Sequence, residues 1–325
     1  MRLRGRPSWK TIAILAALVA VAVIGASWWG PSGFGKDVDF VVPHGATLTS
    51  VATKLRKERV IGSAGGFLWR AKVFGSQDPI KAGEFKLPAH SSKAAILDIL
   101  QHGQPIRRLV TVPEGMPSIM VQERLAAEPL LTGPVDVPAE ASVLPQTYDF
   151  ERGEPRAAVL ARMQAAMAKT IKALWPRRQP GACPVATPQD ALTLASIVEK
   201  ETAKAAERPV VASVYCNRLR IGMKLDADPT VIYPITKGKP LGHRILQSEL
   251  NAITGYNTYR EPGLPRGPIT NPSKASLEAV LHPAKTDYLY FVADGTGGHV
   301  FAKTLAEQEA NKAKWFAIRR ARGQM

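Results

Sequence analysis

Apolar positions along the chain fall into three regimes. Residues 11–29 are apolar almost without interruption and uncharged, about the length a helix needs to cross hydrocarbon. Residues 37–105 alternate short strand and helix spacings. They predict a strand over Val38–Val42, a turn at Pro43-His44-Gly45 and a helix over 49–56 with Val51, Ala52 and Leu55 inward. A strand over 82–87 and a helix over 91–100, ended near Gly103, complete this unit. A strand over 107–112 opens the next stretch. Val159, Leu160, Met163, Met167, Ile171 and Leu174 then keep helical spacing over 156–175, before a Pro/Gly-rich loop at 176–184.

Residues 187–222 organise the rest. Thr187, Pro188 and Asp190 read as N-cap, first-turn proline and acidic third position, so a helix starts here and runs to about residue 204; a second runs from about Pro209 to Gly222. At 100° per residue, Glu199 shares a stripe with Leu192, Ala195, Ser196 and Thr202, whereas Glu201 points the other way, towards Leu194 and Ile197. Two glutamates so placed do not act on one bond. Either, if buried, has its charged form disfavoured and becomes a general-acid candidate. The plainer reading is a structural carboxylate that caps or pairs with a buried Arg or Tyr. Beyond residue 222 helical periodicity fades. A strand is expected over 287–294, then a Gly-rich turn and a strand at 299–302, with Thr304 and Glu307 as the capping box of a last helix. The fold class is α+β.

Charge changes the picture. Lys and Arg number 43 against 27 acidic residues, for a net charge of +16, which suits an anionic lipid or polymer partner. No nucleic-acid module is visible, so nucleic acid is not expected as a partner. Arg2, Arg4, Arg6 and Lys10 precede the apolar run, and no basic residue follows it until Lys36. That asymmetry predicts a short cytoplasmic tail (1–10), a single transmembrane helix (11–30) and everything later outside the cytoplasm, with Trp28 and Trp29 at the far interface. A cleaved signal peptide is the competing reading, but no clean small-x-small site follows. The two cysteines, Cys183 and Cys216, have no metal spacing, and neither a metal nor a cofactor is expected. They can pair in an oxidising compartment or remain as two inert thiols.

Six of the seven tyrosines lie between residues 215 and 290, with Asp226, Asp228, Asn257 and Asn271 among them. Aromatic faces beside amides and carboxylates are what a glycan cleft needs. His299, at a strand start beside the Gly-rich turn, reads as structural or as a glycan hydrogen-bond partner.

Several ordered blocks carry a resemblance: Ile197-Val198-Glu199-Lys200-Glu201-Thr202, Val214-Tyr215-Cys216-Asn217-Arg218-Leu219, Asp228-Pro229-Thr230-Val231-Ile232-Tyr233, Tyr256-Asn257-Thr258-Tyr259, Gly263-Leu264-Pro265 and Ile269-Thr270-Asn271-Pro272. Together they resemble the endolytic murein transglycosylase (MltG-like, YceG-like) family. Cys216 departs from the aliphatic residue expected before Asn-Arg-Leu. The resemblance implies a LysM-like unit (31–105), a connecting part (106–180) carrying Leu144-Pro145-Gln146-Thr147-Tyr148, and a catalytic domain (181–325) with a small antiparallel sheet. It implies Glu199 as the catalytic acid and peptidoglycan glycan strands as substrate, with peptidoglycan synthases as neighbours at the inner membrane. One acid suffices in that chemistry, because the muramic 6-hydroxyl rather than water captures the sugar. Asn217, Asp228, Tyr256, Asn257 and Asn271 are the candidates for contacting substrate or orienting Glu199, although an Asp before Pro also caps a turn. The rivals are a hydrolytic muramidase, with Asp226 or Asp228 activating water, and a non-catalytic wall-binding scaffold.

Overall fold

The computed structural model describes residues 8–323, so Arg2, Arg4 and Arg6, on which the expected topology rests, lie outside the described residues. The chain forms two compact units, Met1–Arg108 and Leu109–Met325.

The first unit begins with α1 (Trp9–Trp29), capped by Ser8 and long and apolar enough to cross a membrane. Then follow β1 (Val38–Val42), α2 (Leu48–Lys57), α3 (Ala64–Phe74), β2 (Gly83–Leu87) and α4 (Lys93–His102). β1 and β2 pair antiparallel with Phe40 opposite Phe85. These rings, with Leu55, Phe67, Ile96 and Leu100, make the core. The start of α2 is held by the reciprocal bonds of Thr47 and Ser50. α3 has no counterpart in the sequence reading, because Gly65 and Gly66 in its first turn disfavour a helix. Ser63 offsets that by accepting a hydrogen bond from Gly66 N, and Phe67 and Ala71 are buried beneath it.

The second unit opens within β3 (Arg108–Thr111), followed by α5 (Ser118–Ala127), β4 (Thr147–Phe150) and α6 (Arg156–Leu174). β3 pairs with β4, over a core of Val110, Val121, Val143, Phe150 and Met163. A second core surrounds α7 (Pro188–Glu201), α8 (Arg208–Arg220) and α11 (Lys274–Leu281), reached through α9 (Asp228–Thr236) and α10 (Gln247–Asn251). The antiparallel pair β5 (Tyr290–Ala293) and β6 (His299–Ala302) follows, then α12 (Leu305–Ala321), which starts at the Thr304–Glu307 capping box.

Three sequence expectations change here. α7 stops at Glu201, not near residue 204, because the Thr202 hydroxyl accepts from Lys204 N and so draws the backbone out of the helix. The strand expected over 287–294 shortens to Tyr290–Ala293. α9, α10 and α11 occupy the stretch where helical periodicity fades, since they are short and their apolar residues are broken by prolines, polar turns and capping residues.

Cys183 and Cys216 form a disulfide that ties the loop before α7 to α8 across 33 residues of chain. Closing a loop of that length lowers unfolded-state entropy, worth about 3–4 kcal/mol in the chain-entropy account. The double variant Cys183→Ala/Cys216→Ala should therefore unfold at lower denaturant by that margin, and an unchanged midpoint would remove the disulfide as a main fastener of the α7 bundle.

Candidate active site

α7 is the central element of the larger unit. The Thr187 hydroxyl accepts from Asp190 N and the Asp190 carboxylate accepts from Thr187 N, which with Pro188 in the first turn fixes the helix start. From Ala191 to Val198 every residue is buried, so the helix is enclosed on all sides and not along one stripe. Its last turn delivers Glu199 and Glu201 to opposite sides, as the wheel predicts.

The two carboxyls meet different surroundings. The Glu199 side chain is 3% exposed, and its Oε1 lies 3.5 Å from Arg208 Nη2. Its Oε2 accepts from Ser273 N (2.8 Å) and Ser273 Oγ (2.6 Å). Ser273 is the N-cap of α11, so the carboxylate sits at a helix N-terminus, where the dipole favours negative charge. Arg208 also reaches Glu114 Oε2 at 2.7 Å. The adjoining Gly115 has φ +68°, and a Cβ there would come within 3.4 Å of Glu199 Cγ, so only glycine fits this turn without strain. The Arg208 and Ser273 contacts hold the Glu199 carboxyl in place, the structural role that the sequence leaves open for either glutamate.

Glu201 is the opposite case. Its Oε1 is shielded from solvent and has no hydrogen-bond partner among the described residues. Burial pushes its pKa up to about 7, against the opposing effect of a hydrogen bond from Tyr215, while the charge of Asp228 adds to the rise and Arg218 opposes it. Glu201 lines a cleft of about 360 Å³ together with Gly295, Gly297, Gly298, His299, Trp315 and Arg322. A carboxyl that is half protonated near neutrality and borders a cleft has the properties of a general acid. Glu140 is also raised to about 7 by burial, but both its oxygens accept hydrogen bonds from Ser118, which assigns it to holding the start of α5. The environments of Glu199 and Glu201 thus favour the reverse of the assignment implied by sequence resemblance.

The remaining sequence candidates divide between the two sides. Asn217 donates to Thr286 O and Tyr288 O and accepts from Arg220, fixing the segment that leads into β5. Asp228 accepts from the Tyr259 hydroxyl at 2.6 Å and acts on Glu201 through its charge. Asn271 is fully buried on the Glu199 side. It donates to Met116 O and Ser118 Oγ, accepts from Val143 N, and its carbonyl receives Gly115 N. Asn257 donates to Leu250 O and Ala252 O at the end of α10 and accepts from Tyr259 N. Tyr256 stacks on Tyr233 at 4.9 Å, with the Arg266 guanidinium 4.7 Å from its ring. His299 places Nδ1 2.8 Å from Glu207 Oε2 and donates its backbone N–H to Glu207 Oε1. A Cβ at Gly298 would clash with that carboxylate at 2.4 Å. His299 is thus anchored by Glu207 and also lines the cleft.

Sequence reasoning passes over Ser273, Arg208 and Glu207, and counts Tyr215 only among the tyrosines suited to a glycan cleft. Ser273 alone has a local signal, a serine before an apolar run; the others gain meaning only through tertiary contact. A second cleft, of about 420 Å³, lies on the Glu114–Lys200 side and is lined mainly by Met116, Pro117, Met120, Ile232 and Ile269. It is mostly apolar, and Glu199, whose carboxyl is held by Ser273 and Arg208, does not line it.

Fold and site together define an α+β protein in which a buried helix brings to a cleft a glutamate with one carboxyl oxygen left unpartnered. The sequence model of the YceG-like family matches residues 40–314, and the chain belongs to that family. It is 30% identical over 312 residues to the endolytic murein transglycosylase of Bacillus subtilis (strain 168), covering 86% of this chain and 85% of that protein. It is 29% identical over 328 residues to the endolytic murein transglycosylase of Streptococcus pneumoniae serotype 2 (strain D39), covering 86% of this chain but 58% of that longer protein. Among solved structures it is similar to a yceG-like protein from Listeria monocytogenes, with a TM-score of 0.52 and 27% identity over 85% of this chain and 98% of that one.

The environments make opposite stability predictions. Glu199→Gln removes the charge that Arg208 and Ser273 hold and should destabilise the fold by roughly 1–3 kcal/mol. For Glu201, a folded-state pKa raised from 4.5 to about 7 means that the folded chain keeps a proton that the unfolded chain loses between those values. Its contribution to stability therefore falls as pH rises through that window and stays low above it. Glu201→Gln removes this loss, so its stability relative to the wild type should rise by about 2–3 kcal/mol between pH 5 and pH 8. Denaturant unfolding of both variants at the two pH values tests this, and a pH-independent difference for Glu201→Gln would remove the raised carboxyl.

Proposed function

We propose that this chain is an endolytic lytic transglycosylase that cleaves the β-1,4 bond between N-acetylmuramic acid and N-acetylglucosamine in nascent peptidoglycan and leaves 1,6-anhydro ends. Family membership supports the reaction. The observation that carries the residue assignment is Glu201, a cleft-lining carboxyl with one unpartnered oxygen and a pKa raised to about 7. In its protonated form Glu201 donates to the glycosidic oxygen as the bond to the muramic C1 breaks. The resulting carboxylate then takes the proton from the muramic 6-hydroxyl while that oxygen bonds to C1. The acid is regenerated and no water is consumed, so no second carboxylate is needed. Asp228 favours the protonated start of this cycle through its charge, and Tyr215 steadies the carboxylate that follows.

Asn217, Asn257 and Asn271 serve in this reading as positioning residues, because their side chains are engaged within the fold. Half-buried Tyr256, backed by Arg266, is offered as a substrate contact. Glu199 holds the end of α7 against α11. The order β1, α2, α3, β2 and a groove of about 570 Å³ between the loops at 46–49 and 76–80 support a LysM-like, glycan-gripping role for residues 31–105. The apolar α1 and the disulfide support an anchor in the inner membrane with both units outside the cytoplasm. There a substrate still being polymerised brings the protein beside peptidoglycan synthases.

Muropeptide analysis of digested sacculi tests the chemistry. Glu201→Gln should abolish anhydro ends, a loss of at least about 10²-fold, whereas folded Glu199→Gln should retain them. An active Glu201→Gln with an inactive but folded Glu199→Gln would return the acid to Glu199, and new reducing ends would indicate hydrolysis. The wild-type kcat/KM should fall as pH rises above about 7, where Glu201 loses its proton.

A further inference from the structure

The end of α1 does not lead into a free linker. Trp28 is 1% exposed and packs on Phe67 of α3 with ring centroids 5.8 Å apart. Ser27 is held twice: its carbonyl accepts from Lys93 Nζ at 2.6 Å and its hydroxyl from Arg70 Nε at 2.8 Å. The last turn of the apolar helix is therefore part of the first unit's core, and α3 lies against it.

The outer face of α3 is largely exposed. Trp69, Val73 and Phe74 are 50%, 52% and 39% exposed, and Trp29 is 59% exposed. The four form one patch, since Phe74 lies 5.4 Å from Trp29 and 6.2 Å from Trp69 between ring centroids. Trp69 and Val73 are four residues apart and share a helix face. Exposed Lys72 precedes Val73 on the same helix, and the Arg70 guanidinium lies 5.9 Å from the Trp69 ring.

We infer that this face of α3 is an interfacial foot, seated in the headgroup region of the same bilayer that α1 crosses, with lipid as its occupant. The inference rests on the membrane-anchor reading of α1 and goes beyond it. At 1.5 Å per residue, Trp9–Trp29 spans roughly 30 Å, about one hydrocarbon thickness, so Trp29 lies at the far interface. Phe74 and Trp69, in ring contact with Trp29 or with each other, are held at the same level, where tryptophan and other amphipathic aromatics partition best. Lys72 and Arg70 supply the positive charge that anionic headgroups attract. The patch is continuous with the span, which a docking site for a soluble partner would not require.

The two cysteines are joined to each other, so a single introduced cysteine can carry a spin label on the full chain. The test reconstitutes Val73→Cys and Leu18→Cys in phosphatidylethanolamine/phosphatidylglycerol vesicles and compares collisions with oxygen against those with an aqueous nickel chelate. Both labels should be shielded from nickel and reached by oxygen, with Leu18→Cys the deeper. Adding Trp69→Ser and Phe74→Ser, both exposed positions, should return the Val73→Cys label to water and leave Leu18→Cys unchanged. A shielded Leu18→Cys beside a water-exposed Val73→Cys overturns the foot alone, and so does a Val73→Cys label that stays shielded after the serine substitutions. A water-exposed Leu18→Cys overturns the anchor and the foot with it.

Discussion

The larger unit depends on the burial of α7. A helix enclosed from Ala191 to Val198 ends with Lys200 in solvent, but the two glutamates of its last turn must be accommodated inside the fold. Glu199 is accommodated by pairing, with Arg208 and the first turn of α11. Glu201 is accommodated by holding its proton, against Tyr215. These are the two ways in which a protein tolerates a buried acid, and here they occur two residues apart. The contrast separates a carboxyl pinned by its partners from one whose pKa burial raises to about 7, which is the property the proposed acid requires.

Ser273 links these arrangements. Its hydroxyl accepts from Ser276 N, as an N-cap does, and donates to Glu199. The start of α11 and the end of α7 are thus one hydrogen-bonded system, steadied by the disulfide that ties the loop before α7 to α8. The same bundle supports Asn217, which holds Thr286 and Tyr288 ahead of β5. The β5–β6 turn in its turn brings Gly298 and His299 to the cleft.

Much of this was legible in the sequence because it is local. The capping boxes at Thr187 and Thr304, the apolar run of α1, the strand Val38–Val42 and the opposite facing of Glu199 and Glu201 follow from spacing of a few residues. What was not legible depends on contacts between distant parts of the chain. Spacing says that one of the two glutamates can be an acid, but the choice rests on Arg208, Ser273 and Tyr215, which come from other helices. α3 escaped because two glycines outweigh a good cap in any local count, whereas in the fold Phe67 and Ala71 lie in a well-packed core. The pairing of Cys183 with Cys216 was open for the same reason, since 33 residues of sequence set no distance.

The burial of Trp28 has a mechanical consequence. A spanning helix joined to its domain by a flexible linker can tilt freely while the domain hangs independently. With the ring of Trp28 sunk among Phe67 and its neighbours, helix and first unit turn as one lever. Apolar helices adjust their tilt to the thickness of the hydrocarbon around them. In the proposed membrane-anchored arrangement, bilayer thickness then sets the tilt of the first unit, and lipid composition becomes an input to an enzyme whose substrate is not a lipid.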